Sequence, residues 1–218
     1  MLMTMKELSM ETVNIKYPNG DAYVGQMTDN KKDGIGAYLY KSGSRYEGQW
    51  QNDKKHGRGI FYFTNGDVLA GTWQEGNLTG KVLYQFANND EYEGELKDNL
   101  FHGEGIYRYH NGNVYHGQWQ NGKQQGQGVF FYANGGKYQG EWANDQREGK
   151  GILDCGDGNG YEGSWRADQR NGLGRQYFAN KEQYVGEWKN NKKHGRGTYM
   201  YADGTRDEAE WVNDVKQN

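Results

Sequence analysis

The stretch Tyr46-Glu47-Gly48-Gln49-Trp50-Gln51-Asn52-Asp53-Lys54-Lys55-His56-Gly57-Arg58-Gly59-Ile60-Phe61-Tyr62-Phe63-Thr64-Asn65-Gly66-Asp67-Val68 decides how the whole chain is read. Its first six residues alternate apolar or small with polar, the period of two that marks a strand. Asn52 to His56 are turn formers and charges. Gly57 to Phe63 reads as a second strand, rich in aromatic and β-branched residues. Thr64-Asn65-Gly66-Asp67 carries the Asn-Gly signal of a hairpin turn. The stretch is therefore two antiparallel strands with a tight turn leading onward.

Moving outward, the same pattern recurs every 23 residues, starting at Tyr23, Tyr46, Leu69, Tyr92, Tyr115, Tyr138, Tyr161 and Tyr184, with a truncated copy from Asp207. Numbering each repeat from 1 to 23, all 7 tryptophans fall at position 5: Trp50, Trp73, Trp119, Trp142, Trp165, Trp188 and Trp211. Glycine occupies position 3 and position 12 of all eight repeats, position 14 except at Val82, and position 21 except at Asn89 and Lys181. These four positions hold 29 of the 35 glycines, so glycine here is periodic punctuation and not low-complexity filler. Such fixed-period self-similarity is the signature of a repeat architecture.

Composition agrees. Only 33% of residues are hydrophobic, a level at which a chain can fail to offset its own entropy, yet 18 Tyr, 7 Trp and 7 Phe are far too many for a solvated tail. A net charge of -3 provides no broad basic field, which argues against nucleic acid as a partner. The single cysteine, Cys155, excludes an internal disulfide. Residues 1–9 lack the basic and apolar segments of a signal peptide, and the reading is a cytoplasmic protein.

The fold expected is all-β: an elongated, single-layer antiparallel array of β-hairpins. Residues 1–22 form an N-terminal segment with a partial repeat, 23–206 hold eight repeats, and 207–218 form a degenerate C-terminal capping repeat. Side-chain size suggests that position 1 lies across from 18, position 3 from 16 and position 5 from 14. That register places Tyr46 by Phe63, Gly48 by Phe61 and Trp50 by Gly59. One face then becomes a pavement of rings, on a ribbon on the order of 75–80 Å long at the usual strand spacing. Residues 1–12 are loose or cover the first edge.

At this point the repeat is recognisable. Tyr46-Glu47-Gly48-Gln49-Trp50 with Lys54-Lys55-His56-Gly57-Arg58-Gly59, and Tyr184-Val185-Gly186-Glu187-Trp188 with Lys192-Lys193-His194-Gly195-Arg196-Gly197, resemble the MORN repeat (membrane occupation and recognition nexus). The resemblance runs continuously over residues 23–206. It implies a ribbon with an aromatic groove that binds helices of partner proteins, self-associates, or places proteins at membranes and cytoskeletal structures such as ciliary spoke heads. Where members of the family are enzymes, the resemblance implies that the chemistry sits in a separate domain. The third repeat (Leu69, Val82, Asn89) and the seventh (Arg175, Gln176, Lys181) depart from the pattern.

His56, His102 and His194 share position 11, but neighbouring repeats are ~10 Å apart, too far for one ion with ~2 Å bonds, so a turn role is expected and no metal site. The acids Glu47, Glu93, Glu95, Glu141 and Glu187 read as solvated on the polar face. Cys155 reads as a small buried hydrophobe. No catalytic residue and no cofactor is expected, and the protein reads as a non-enzymatic protein-binding scaffold in a cytoskeletal or ciliary type of assembly. The expected contact residues are Tyr92, Tyr115, Trp119, Tyr138 and Trp142, together with Leu100 and Phe101, whose adjacent apolar side chains in the fourth loop serve either binding or self-packing. The partner expected is an amphipathic helix. Self-association is a further expectation. The alternative is a phospholipid-tethering module: positions 6 to 11 sum to +4, which gives weak attraction to anionic lipid.

Overall fold

The computed structural model describes residues 11–217, and among them every regular element is a strand. The chain divides into two bodies, one ending at Leu96 and one beginning at Lys97. The N-terminal body contains β1 (Glu11–Lys16), β2 (Ala22–Thr28), β3 (Lys31–Leu39), β4 (Arg45–Gln51), β5 (Lys54–Tyr62), β6 (Val68–Gln74), β7 (Asn77–Gln85) and β8 (Glu91–Lys97), whose last residue crosses the division. Each pairs antiparallel with the next. The C-terminal body repeats the scheme with β9 (Leu100–Arg108), β10 (Val114–Gln120), β11 (Lys123–Phe131), β12 (Lys137–Ala143), β13 (Gln146–Asp154), β14 (Gly160–Arg166), β15 (Gln169–Tyr177), β16 (Gln183–Lys189), β17 (Lys192–Met200), β18 (Arg206–Val212) and β19 (Val215–Lys216). Each body is thus a single-layer antiparallel hairpin array. The expectation for residues 1–12 falls mostly outside the described residues. From Glu11 onward the chain is strand, with Val13 opposite Gly25 and Ile15 opposite Tyr23.

The turn within each repeat is shorter than expected. It consists of positions 7 and 8 alone, for example Asn52 (φ 48°) and Asp53 (φ 67°), the paired left-handed conformations of a type I′ hairpin turn. Positions 9 to 11 consequently belong to the second strand. His56, His102 and His194 lie in β5, β9 and β17 and not in turns, and Leu100 and Phe101 open β9 instead of forming a loop. At the other end Asn65-Gly66 does form the connecting turn, closed by the Gly66 amide donating to the Phe63 carbonyl at 3.1 Å.

The register also differs, by two residues before the bulge and by four beyond it. Tyr46 lies opposite Phe61, Gly48 opposite Gly59, and Trp50 opposite Lys55 across a bulge. An even shift leaves every side chain on its expected face, which is why the alternation could not reveal it. The physical cause is the tyrosine ring. Tyr46 folds flat over the Gly48–Gly59 pair, and its hydroxyl donates to the Gln49 carbonyl at 3.1 Å. A Cβ on Gly59 would run into that ring, and one on Gly48 would meet Gly59 Cα at 2.5 Å. The glycines therefore make room for a ring on their own hairpin, two residues back, and not for one opposite.

These tyrosines are the core. Tyr23, Tyr46, Tyr92, Tyr115, Tyr138 and Tyr184 are fully buried, and the tryptophans of position 5 are nearly so. Tyr46, Tyr115, Tyr138, Tyr161 and Tyr184 each meet two tryptophans edge-on: Tyr46 lies 5.2 Å from Trp50 and 5.4 Å from Trp73, with planes 89° and 85° apart. Such edge-to-face pairs each contribute about 0.5–1.5 kcal/mol beyond area burial. Except at Trp73, the indole nitrogens are satisfied by the preceding hairpin, as when Trp50 Nε1 donates to the Gly36 carbonyl at 3.1 Å. The third repeat builds the same layer differently: Leu69 stands where the tyrosine would be, and Val82 fills the space its ring would take, at 5% and 3% exposure.

Candidate functional site

Above the buried Tyr–Trp layer lies a second, half-exposed row made by positions 16 and 18. In the C-terminal body it runs through Tyr107, Tyr109, Phe130 and Tyr132. Successive rings touch: Tyr107 and Tyr109 at 4.5 Å, Tyr109 and Phe130 at 5.7 Å, Phe130 and Tyr132 at 4.8 Å. Strand alternation puts this row on the same side as the core tyrosines, and the turn at positions 18 to 22 keeps it near the surface.

The residue at position 10 lies across these rings. In the N-terminal body Lys32 Nζ sits 5.2 Å from the centroids of Tyr38 and Trp50, and Lys55 Nζ sits 4.7 Å from those of Phe61 and Trp73. In the C-terminal body Arg147 and Arg170 stack at 4.3 Å on Trp165 and Trp188, and Lys193 approaches Trp211 to 4.6 Å. These are cation–π contacts, stabilising by roughly 0.5–2 kcal/mol according to how far water is excluded. Burial holds the Lys55 ammonium, the Arg170 guanidinium and the Lys193 ammonium below their ordinary pKa ranges. Phe101 and Gln124 take the same place without charge. Phe101 meets Trp119 edge-on at 5.3 Å, and Gln124 donates to the Tyr109 hydroxyl at 3.1 Å. The stretch of ring face over Trp119 and Trp142 is therefore covered by neutral side chains.

The expected contact residues divide accordingly. Tyr115, Trp119, Tyr138 and Trp142 come together in the C-terminal body, each ring 5.2 Å from the next, but all four are buried and hold the sheet together. Tyr92 is equally buried, in the N-terminal body. Phe101 is half-buried in its packing on Trp119, and Leu100 is exposed beside Gly122. The accessible rings are Tyr107, Tyr109, Phe130 and Tyr132, which the sequence reading placed in the pavement without selecting them. A signal existed: positions 1 and 5 go with glycine at position 3 and, except at Val82, at position 14, as a buried ring requires, whereas positions 16 and 18 border a turn.

The opposite face is not simply solvated. Glu141 Oε1 accepts the Lys150 amide at 2.8 Å and Glu187 Oε1 accepts the Arg196 amide at 3.1 Å; Gln49 does the same for Arg58 at 2.7 Å. These side chains satisfy amides that the bulge withholds from the ladder. Glu47 pairs with Arg45 at 3.0 Å. In the C-terminal body this face also holds an open hollow of about 800 Å³ bordered by Ile152, Leu173, Val185 and Arg175. Among the described residues no three His, Cys, Asp or Glu side chains converge as metal ligands would, and no helix is long and apolar enough to cross a membrane.

A single-layer hairpin array with this internal Tyr–Trp–Gly lock defines a class of repeat protein. The family model for the MORN repeat matches residues 23–45, 46–68, 92–114, 115–137, 138–160, 161–183 and 184–206, and the chain belongs to that family. The third of the eight repeats, residues 69–91, lies outside the match, consistent with its Leu69–Val82 core. Among solved structures, the wild-type TCP10 domain of Danio rerio CPAP is similar, with a TM-score of 0.53 at 12% identity, covering 91% of this chain and 94% of that one. The same domain in complex with a peptide of Danio rerio STIL gives 0.44 at 12% identity, covering 92% and 100%. At these identities the likeness is one of fold. No curated protein matches the sequence.

Proposed function

We propose that this chain is a non-enzymatic protein-binding scaffold of the cytoplasm that holds a helical segment of a partner within a cytoskeletal or ciliary type of assembly. The observation that carries the reading is the half-exposed row Tyr107, Tyr109, Phe130 and Tyr132, above a layer that is already packed and with a cation, Arg147, only at its Tyr132 end. Rings that the core does not need, contiguous and half-exposed, are the composition of a protein interface. The spacing suits a helix. Consecutive repeats are two strands apart, about 9.6 Å, and seven residues of helix rise about 10.5 Å, so an apolar side chain on every second turn meets successive repeats. The lipid-tethering alternative has less support, since Lys32, Lys55, Arg147, Arg170 and Lys193 lie across rings instead of projecting from turns. Self-association through this face remains a form of the same reading.

The test is to identify a partner by pull-down and mass spectrometry from native cells, then to titrate it calorimetrically against Tyr132→Ser and Phe130→Ser. A loss of about 1–2 kcal/mol of binding, the scale of a moderate hot spot, is expected in each. Unchanged affinity in both, with the protein still folded, removes the ring face as the contact.

A further inference from the structure

Position 10 of every repeat sits in a cage of four places: position 1 and position 16 of its own repeat, position 18 of the one before, and position 5 of the one after. Around Lys55 all four are rings, Tyr46, Phe61, Tyr40 and Trp73. Around Lys32 they are rings too, and Asp53 adds a carboxylate at 3.5 Å from Nζ. Arg147 has Asp168, with Nε to Oδ1 at 2.9 Å. Arg170 stands apart. Its cage keeps Tyr161 and Trp188, but the other two places are Cys155 and Gln176. The residue that takes the role of Asp53 or Asp168 is Asn191, and Arg170 bonds only neutral acceptors: Nη1 donates to Gln176 Oε1 at 2.9 Å and Nη2 to the Asn191 carbonyl at 2.8 Å. Among the described residues no carboxylate bonds to this guanidinium.

Replacing two rings by smaller side chains also leaves space. A notch of about 310 Å³ opens beside Arg170, bordered by Cys155, Gln176 and Arg147 and floored by Tyr161 and Trp165. A half-buried cation with neither a full ring cage nor a directly bonded carboxylate, and with Asp214 acting on it only through space, is costly, and an anion seated beside it lowers that cost. Nearby Asp154, Asp157 and Asp168 limit how much negative charge the notch tolerates, which favours a single, planar anion over a phosphate. A planar carboxylate matches a guanidinium in shape as well as charge.

We propose that the notch takes the carboxylate of one Glu or Asp side chain of the bound protein segment, with Arg170 as its counter-charge and the Gln176 amide as a second donor. This rests on the protein-binding reading and names the chemistry of the partner: an acidic residue beside the apolar ones that lie on the rings.

The experiment uses the full chain. A random twelve-residue peptide library displayed inside a loop, so that no free carboxyl terminus is presented, is selected on the wild-type protein. Enriched peptides are then synthesised with amidated ends. The expected result is a family with an acid at one fixed place, bound about tenfold more weakly by Arg170→Gln, as for a charge-assisted hydrogen bond. The same peptide with that acid changed to its amide should bind wild type and Arg170→Gln alike, and Arg170→Lys should keep part of the affinity. Because the reading is a coupling between two charges, a general loss of fold in Arg170→Gln is distinguished by its effect on both peptides. Enriched peptides without a fixed acid, or affinity within twofold in Arg170→Gln, overturn the proposal while leaving the ring face as a binding site. A phosphoserine version that binds tenfold more tightly than the acid reassigns the notch to phosphopeptides and overturns it too. A library that yields no binder overturns the protein-binding reading itself.

Discussion

The third and the seventh repeats both break the 23-residue pattern, and they break it with opposite consequences. In residues 69–91 the change falls on the buried row. Leu69 replaces the ring and Val82 replaces the glycine beneath it, so that one loss of volume is offset by one gain and the hairpin stays packed. The hydrogen bonding suffers slightly: Trp73 Nε1, whose equivalents reach a glycine carbonyl, has no partner. In residues 161–183 the buried row is intact, with Tyr161 between Trp165 and Trp188 at 5.1 Å and 5.4 Å. There the change falls on the half-exposed row, where Gln176 follows Cys155, and nothing inside the chain fills the space. Departures in the buried layer must be compensated within the hairpin because a cavity there costs stability directly. Departures in the layer above open surface to a ligand.

The largest test of this contrast is collective and alkaline. Burial pushes the phenols of Tyr23, Tyr46, Tyr161 and Tyr184 up to about 12, from an ordinary value near 10. A group whose folded pKa is raised contributes stability that is fully present below its unfolded pKa and is lost as pH rises through the folded one. Stability should therefore hold to about pH 10 and fall between about 10 and 12. Tyrosinate absorbance and the strand circular dichroism signal should change together. Ionisation of all tyrosines near pH 10 with the strands intact would break the claim that position 1 is the core.

The next test exchanges the two solutions to the buried row. Gly151→Val places a side chain against the Tyr138 ring and should destabilise by about 3 kcal/mol. Adding Tyr138→Leu recreates the arrangement of Leu69 and Val82 and should recover at least half of that loss in urea denaturation. No recovery would show that the third repeat is held by something other than volume exchange. Its converse, Val82→Gly, leaves a void under Leu69 and should cost about 2 kcal/mol.

Phe101→Ser sharpens the division between rows. Phe101 packs on Trp119 and Tyr107, so the substitution should lower stability by about 1–2 kcal/mol in a thermal melt. An unchanged melting temperature would return Phe101 to the set of purely binding residues. The smallest effect is in the turn of the seventh repeat. Ala167 holds φ 46°, where asparagine is better tolerated. Ala167→Asn should stabilise by about 0.5–1 kcal/mol without altering the neighbouring notch, read by urea denaturation.

Residues 23–206 by themselves determine that the chain is a hairpin array, which side chains share a face, and where one repeat turns into the next, because strand alternation and the turn-forming residues at positions 19 to 22 are local properties written at every repeat, whereas the length of the turn inside each repeat was not legible. They also mark the third and seventh repeats as different. Alternation of period two constrains parity and not offset, so only the tertiary structure decided that Tyr46 lies opposite Phe61 and not Phe63. The offset is set by ring volume over a pair of glycines, a contact between strands. The same applies to depth. Tyr115 and Tyr132 are the same residue type on the same face, yet one is buried under the next hairpin and the other borders a turn. The cation cages are further still from the linear pattern, since Arg170 acquires its neighbours from three successive repeats, and only packing brings Cys155, Gln176 and Trp188 around one guanidinium.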